Sequence, residues 1–167
     1  MKKNPPIDLG GRSFDYICDI NINKNGNALR KNSYVGQKAF TYDISTHDND
    51  EFCRFMIPPL WEWSLQKLSG IYIICKTFTH FTLFYLGQTN NLPRRFMGKY
   101  GYAHISQFRK NPHAAQINKQ IYAKIIAGNL LQIYFHSNVP DESKRKEIEA
   151  DLIHKYNPNW NTQLRSD

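Results

Sequence analysis

Four side chains in this sequence are of types that handle a phosphate. Tyr72 and Tyr85 stand thirteen residues apart, Arg95 follows ten residues after the second tyrosine, and Glu149 lies far downstream. A guanidinium offers a planar fork of donors that matches two phosphate oxygens. A single carboxylate suits Mg²⁺, which keeps several waters and takes few protein ligands. Phenols can orient water or an oxyanion by hydrogen bonding. Taken alone, each tyrosine reads as a half-buried strand aromatic, and it is the constellation that points to chemistry.

Such a set works only if the chain brings it together. Gly70 to Cys75 (GIYIIC) and Phe81 to Leu86 (FTLFYL) are apolar runs rich in β-branched and aromatic residues. They predict two strands, with the polar Lys76 to His80 as a hairpin turn and Gly87 ending the second strand. Asn90-Asn91 followed by Leu92-Pro93 predicts a helix with an asparagine cap and a proline in its first turn. Arg94 and Arg95 then fall beside the strand ends. A last helix is expected from Asp141, whose Glu149, Leu152, Ile153 and Tyr156 share one face at i, i+3, i+4 and i+7. A glutamate on that core-facing stripe must be paired, protonated or bound to a cation, because burying a lone carboxylate is costly. Glu142 and Glu147, among Lys144, Arg145 and Lys146, read as surface charges.

Gly-Ile-Tyr, then Tyr85-Leu86-Gly87 with an arginine beyond it, resembles the paired motifs of the GIY-YIG nuclease family. The later segment from Glu149 to Asn161 is similar to that family's terminal glutamate helix and its Pro-x-aromatic-Asn ending, here Pro158-Asn159-Trp160-Asn161. The resemblance covers about Ser69 to Gln163. It implies an α+β protein with the GIY-YIG nuclease fold, a small antiparallel β-sheet flanked by helices. Residues 69–167 would be the catalytic core and residues 1–68 a β-containing N-terminal extension for DNA recognition or dimer contacts, the two forming one compact unit.

The activity so implied is hydrolysis of phosphodiester bonds in double-stranded DNA, with one Mg²⁺ or Mn²⁺ per site held by Glu149. Tyr72 would activate the attacking water, Tyr85 orient water or phosphate, and Arg95 face the scissile phosphate. Gly87, His113 and Asn161 would support them, Asn161 as a brace. Lys99 stands four residues after the motif arginine, where many members carry histidine or tyrosine, and is a candidate phosphate clamp or proton carrier. Gln88 stands where the repair relatives carry lysine. The chain is shorter than the multidomain repair subunits and lacks the added modules of homing enzymes. It therefore most resembles the small type II restriction endonucleases, which act as homodimers on a short palindromic site alongside a cognate DNA methyltransferase. The alternatives are a structure-selective, repair-type or homing-type nuclease of the same family, or a nucleic-acid-binding protein without catalysis.

The charge distribution points to the same partner without the resemblance. The chain has 167 residues and a net charge of +8, and from Trp63 to Pro140 it carries no aspartate or glutamate. That stretch of 78 residues holds nine lysines and arginines, among them Lys76, Arg94, Arg109, Lys110 and Lys119, the candidate DNA-binding set. Solvated faces normally mix both signs, so a one-sign field suits a polyanion. The lack of further acids in this stretch also favours a one-metal over a two-metal site. No apolar run approaches the ~20 residues needed to cross a bilayer. Met1-Lys2-Lys3 is followed by no apolar h-region, so a cytoplasmic protein without membrane partners is expected. Cys18, Cys53 and Cys75 are unclustered and read as buried reduced thiols. His47, His80, His104, His136 and His154 lack metal-ligand spacing.

Elsewhere, residues 1–13 read as a loose lead-in. Phe14, Tyr16, Cys18, Ile20 and Ile22 alternate as one face of a strand, Asn23 to Asn27 suggests a turn, and Ala28 to Phe40 a returning strand. Thr46 to Glu51 is a polar break, and Trp61 and Trp63 read as core aromatics. Ala114 to Ala127, with Ile117, Ile121 and Ile125 at intervals of four, predicts a helix stopped by Gly128-Asn129, and Leu130 to His136 a third core strand.

Overall fold

The structure is a computed structural model and describes residues 4–22, 55–56, 68–97, 101–102 and 111–162. The expected turn at 23–27, the returning strand, the polar break, Trp61 and Trp63 lie outside these residues. So do Cys53, Lys99, Arg109 and Lys110.

Gly10 and Gly11 both have positive φ, 61° and 74°, which lets the chain reverse in two residues between β1 (Ile7–Leu9) and β2 (Arg12–Asp19). Residues 7–13, read as part of a loose lead-in, therefore belong to an ordered hairpin, with Leu9 buried and the Gly10 N–H donating to Tyr156 Oη at 2.8 Å. β2 departs from its expected single face. Tyr16 opposes Tyr134 and Cys18 opposes Ile133, so Ile17 is an extra residue in the ladder. Since side chains alternate with period two, this bulge turns the strand over, and Phe14 and Cys18 enter opposite cores.

β3 (Asn21–Ile22) pairs with β4 (Phe55–Met56) in a separate two-stranded sheet. β5 (Gly70–Lys76) and β6 (Thr82–Thr89) form the expected hairpin, but Gly87 does not end β6, which runs two residues further and pairs Thr89 with Gly70. Among the described residues, three helices and one more strand follow: α1 (Leu92–Met97), α2 (Pro112–Ile126), β7 (Gln132–Ser137) and α3 (Glu142–Tyr156). The main sheet has the order β1-β2-β7-β5-β6, every neighbouring pair antiparallel. The protein is thus α+β, with an antiparallel sheet between helices. β2 enters this sheet beside β7, so the N-terminal segment and the later strands share one hydrogen-bonded unit.

Each face of the sheet has its own apolar layer. Tyr72, Ile74, Tyr85, Ile133 and Phe135 pack with Leu92, Phe96, Ile117 and Ile121 of α1 and α2. Ile71, Ile73, Cys75, Leu86 and Tyr134 pack on the other face with Ile148, Leu152 and Ile153 of α3. The alternation along β5 sends Tyr72 to the first layer and its neighbours to the second. The expected asparagine cap is Asn91, whose Oδ1 accepts from Arg94 N; Asn111 Oδ1 likewise accepts from Ala114 N, and Asp141, expected inside the last helix, is its cap and accepts from Lys144 N. Asn157 takes the left-handed conformation after α3, and no helix among the described residues is long and apolar enough to cross a membrane.

Candidate active site

Gly87 is the pivot of the site. It lies opposite Tyr72 in the β5–β6 ladder, and a Cβ built on it would stand 2.5 Å from Tyr72 Oη and 2.6 Å from Cζ. Only a glycine lets the phenol lie across the neighbouring strand. Tyr72 is 1% exposed, packed edge-on against Phe96, with its hydroxyl 2.5 Å from that of Tyr102. Tyr102 Oη donates to Tyr85 Oη at 3.4 Å, and Tyr85 Oη lies 3.0 Å from His113 Nε2 at the start of α2. Three phenols and an imidazole thus form one hydrogen-bonded row.

These groups line a cleft of about 360 Å³ together with Gln88, Arg95, Glu149, Trp160 and Asn161. Arg95, half-buried on α1, lies near enough to the phenols and to Glu149 to influence all of them electrostatically. Glu149 reaches in from α3, and its Oε1 accepts the Gln88 N–H at 3.1 Å. Burial raises the Glu149 carboxyl above its ordinary value, opposed in part by that N–H, Arg95 and Lys146. Burial, together with Tyr102 and Tyr85, pushes the Tyr72 phenol well above its ordinary range, and Arg95 offsets this only in part. Burial and Arg95 lower His113, so at neutral pH its ring is uncharged and can accept the Tyr85 hydroxyl proton.

Asn161 ties down the outer edge of β6. β6 is an edge strand of the main sheet, and Asn161 satisfies both outward backbone groups of Leu86, Oδ1 accepting its N–H at 2.9 Å and Nδ2 donating to its carbonyl at 2.7 Å. The Trp160 N–H adds a bond to Phe84 O at 2.9 Å, and the indole stacks on the Phe84 ring.

The structure therefore brings Tyr72, Tyr85, Gly87, Arg95, His113, Glu149 and Asn161 together. Arg94 is exposed on α1 and Lys119 on α2. Lys76 is four residues along β5 from Tyr72, roughly 13 Å at the usual strand rise, and donates to Asn129 Oδ1 rather than lining the cleft. Two functional side chains were missed in the sequence. Tyr102 sits in the middle of the phenol row, held by Asn118 Nδ2 on its carbonyl and by its own N–H to Arg95 O. Its neighbour Gly101 was the available signal, since a Cβ there would meet the Phe96 carbonyl oxygen at 2.6 Å. Arg145, set among surface charges in the sequence, is buried.

Glu149 fits the role of a sole protein ligand to a divalent cation. One carboxylate oxygen is held by Gln88, the other makes no hydrogen bond among the described residues, and the group is under-compensated where it stands. No cluster of three or more His, Cys, Asp or Glu side chains able to hold a metal occurs among the described residues. No protein-family model, curated protein or solved structure matches the chain.

Proposed function

We propose that the protein is a GIY-YIG-type endonuclease, a type II restriction enzyme that hydrolyses double-stranded DNA with one Mg²⁺ or Mn²⁺ per site. The observation that carries this reading is the convergence of Tyr72, Tyr85, Arg95 and Glu149, distant in sequence, around one cleft. Arg95 binds the scissile phosphate through its fork and neutralises charge developing on it. Glu149 would hold the metal ion, which would supply stabilisation of the charge that develops on the phosphate.

Tyr72 takes the proton of the attacking water while passing its own along the row. With Tyr102 donating to Tyr85, its single hydroxyl hydrogen is used, so the contact with Tyr72 requires Tyr72 to donate, and Tyr85 can pass its own proton to His113 in the tautomer with a free Nε2. The buried phenol need not ionise, which its surroundings oppose. A homodimer with one site per subunit would cut one strand each at a palindromic sequence, and a partner methyltransferase would protect the host.

Incubation of the protein with a long defined duplex DNA and Mg²⁺, with an EDTA control, tests this. Discrete, reproducible fragments are expected. A metal-dependent smear, or cleavage confined to branched DNA, would replace site-specific restriction with a nonspecific or structure-selective nuclease. Intact but retarded DNA would leave a binding protein.

A further inference from the structure

Arg145 is 3% exposed although its neighbours on α3 are solvated, and it stands one helical turn before Glu149. Among the described residues it makes no ion pair. Its guanidinium donates to three neutral oxygens: Nε to Gln88 Oε1 at 3.1 Å, and Nη1 to the carbonyls of Val139 at 2.9 Å and Pro140 at 2.5 Å. A buried cation whose hydrogen-bond acceptors are all neutral is costly, and an apolar side chain of similar volume would fill the space with less penalty. What the arginine holds must account for it.

Two of its contacts fasten the segment that leads into α3. The third reaches across to β6 and fixes a side chain that lines the cleft. A guanidinium has donors only, so Gln88 can turn nothing but its carbonyl oxygen towards Arg145, and the orientation of the amide follows from chemistry. The NH₂ end is then the free end. It makes no hydrogen bond among the described residues, while the backbone N–H of the same Gln88 holds Glu149 Oε1.

We propose that Gln88 is a substrate-contacting residue whose amide NH₂ donates to a non-bridging phosphate oxygen of the bound DNA strand. Arg145 is the positioning residue that locks this amide in its donating orientation. One residue of β6 thereby aligns both partners of the reaction, the phosphate through its side chain and the Glu149 carboxylate through its backbone. The inference rests on the nuclease reading for the identity of the ligand, and on the Arg145 contact for the orientation.

The test is single-turnover cleavage of plasmid DNA in Mg²⁺ by the full chain and its variants, with melting temperatures. Gln88→Glu keeps an acceptor for Arg145 and the N–H to Glu149 but removes the donor. It is expected to melt no lower than the wild type and to cleave about tenfold or more slowly, the usual cost of a lost hydrogen bond to a charged oxygen. Gln88→Ala should slow cleavage comparably. Arg145→Met should slow it about tenfold beside Gln88 yet less than about twofold in the Gln88→Ala background, because the arginine acts through the amide. Arg145→Lys, which keeps the charge without the fork, replaces the methionine variant should that not fold.

Cleavage by Gln88→Ala at the wild-type rate would overturn the proposal, as would equal losses from the arginine variant in both backgrounds. If the wild type leaves plasmid intact, the nuclease reading fails by itself. Binding of sheared duplex DNA in Ca²⁺ then decides the inference: weaker binding by both Gln88 variants sustains it, and unchanged binding overturns it.

Discussion

At the scale of single residues, the site is kept at a cost to stability. Glu149 is raised by burial, so in the metal-free protein its charged form is disfavoured relative to the unfolded chain. For an acid with a raised folded value, stability falls as pH rises from about 4.5 through that value. Glu149→Gln keeps an acceptor for the Gln88 N–H and removes the charge. It should melt no lower than the wild type at pH 7 in EDTA, while Mg²⁺-dependent cleavage disappears and DNA binding persists. Residual cleavage at the wild-type rate would remove Glu149 from the metal site. His113 behaves oppositely, since its folded value lies below the ordinary 6.5. Its neutral ring is the stable form, so the stability it contributes is full above pH 6.5 and is lost as pH falls from 6.5 towards the lowered value. Thermal melts across that window should show the wild type losing stability relative to His113→Asn. The phenol row was half legible in the sequence. Tyr72 and Tyr85 follow from strand pattern and motif, but Tyr102 depends on where the chain returns after α1, which no periodicity encodes. Arg145 was misread for a similar reason, because a run of five charged residues at 144–147 and 142 looks solvated until the helix is docked against β6.

At the scale of elements, two departures from simple strand alternation set the geometry. The bulge at Ile17 and a second between Ile74 and Cys75, where Phe84 is the extra residue opposite, rotate parts of β2 and β6. Hydrophobic pattern predicts the strands but not these insertions, because an apolar residue suits either face of a sheet buried on both. Gly87 shows the reverse, a backbone requirement readable from type alone once the pairing with Tyr72 is known. Gly87→Ala forces a methyl group into the Tyr72 ring, and overpacking of this kind costs about 1–3 kcal/mol. Urea titration should show that loss, and cleavage should fall further than stability because the displaced phenol leaves the row. The Asn161 brace makes the complementary prediction. Asn161→Ala leaves the buried N–H and carbonyl of Leu86 without partners, about 1–3 kcal/mol for each group. Asn161→Asp restores the acceptor but sets a carboxylate against the Leu86 carbonyl, so it should not rescue. Chemical denaturation of the three proteins separates these outcomes.

At the scale of the whole molecule, the acid-free stretch spans β5, β6, α1, α2 and β7, of which β5, β6, α1 and α2 line the cleft, and carboxylates return in number only with α3, which adds Glu149 to it. The exposed face of α3 largely neutralises itself through the Lys146–Glu142 pair at 2.7 Å and the Lys144–Glu147 pair at 2.9 Å. On the nuclease reading, duplex DNA would meet Arg94 and Arg95 of α1 beside the cleft, and mutually paired charges on the outer face of α3. Each phosphate neutralised contributes about 0.9 to the slope of log binding constant against log salt on B-form DNA. Binding to duplex DNA in Ca²⁺ should accordingly weaken steeply with added NaCl. Arg94→Ala, an exposed change beside Arg95, should lower the slope by about one unit and weaken every sequence alike, as loss of a backbone contact does. Lys144→Ala on α3 should leave the slope unchanged, since that lysine is already committed to Glu147. Equal slopes for Arg94→Ala and the wild type would mean that DNA approaches the cleft from another side, and a lower slope for Lys144→Ala would put the outer face of α3 in the interface. The comparison thus fixes the orientation of the duplex on the protein independently of whether it is cut.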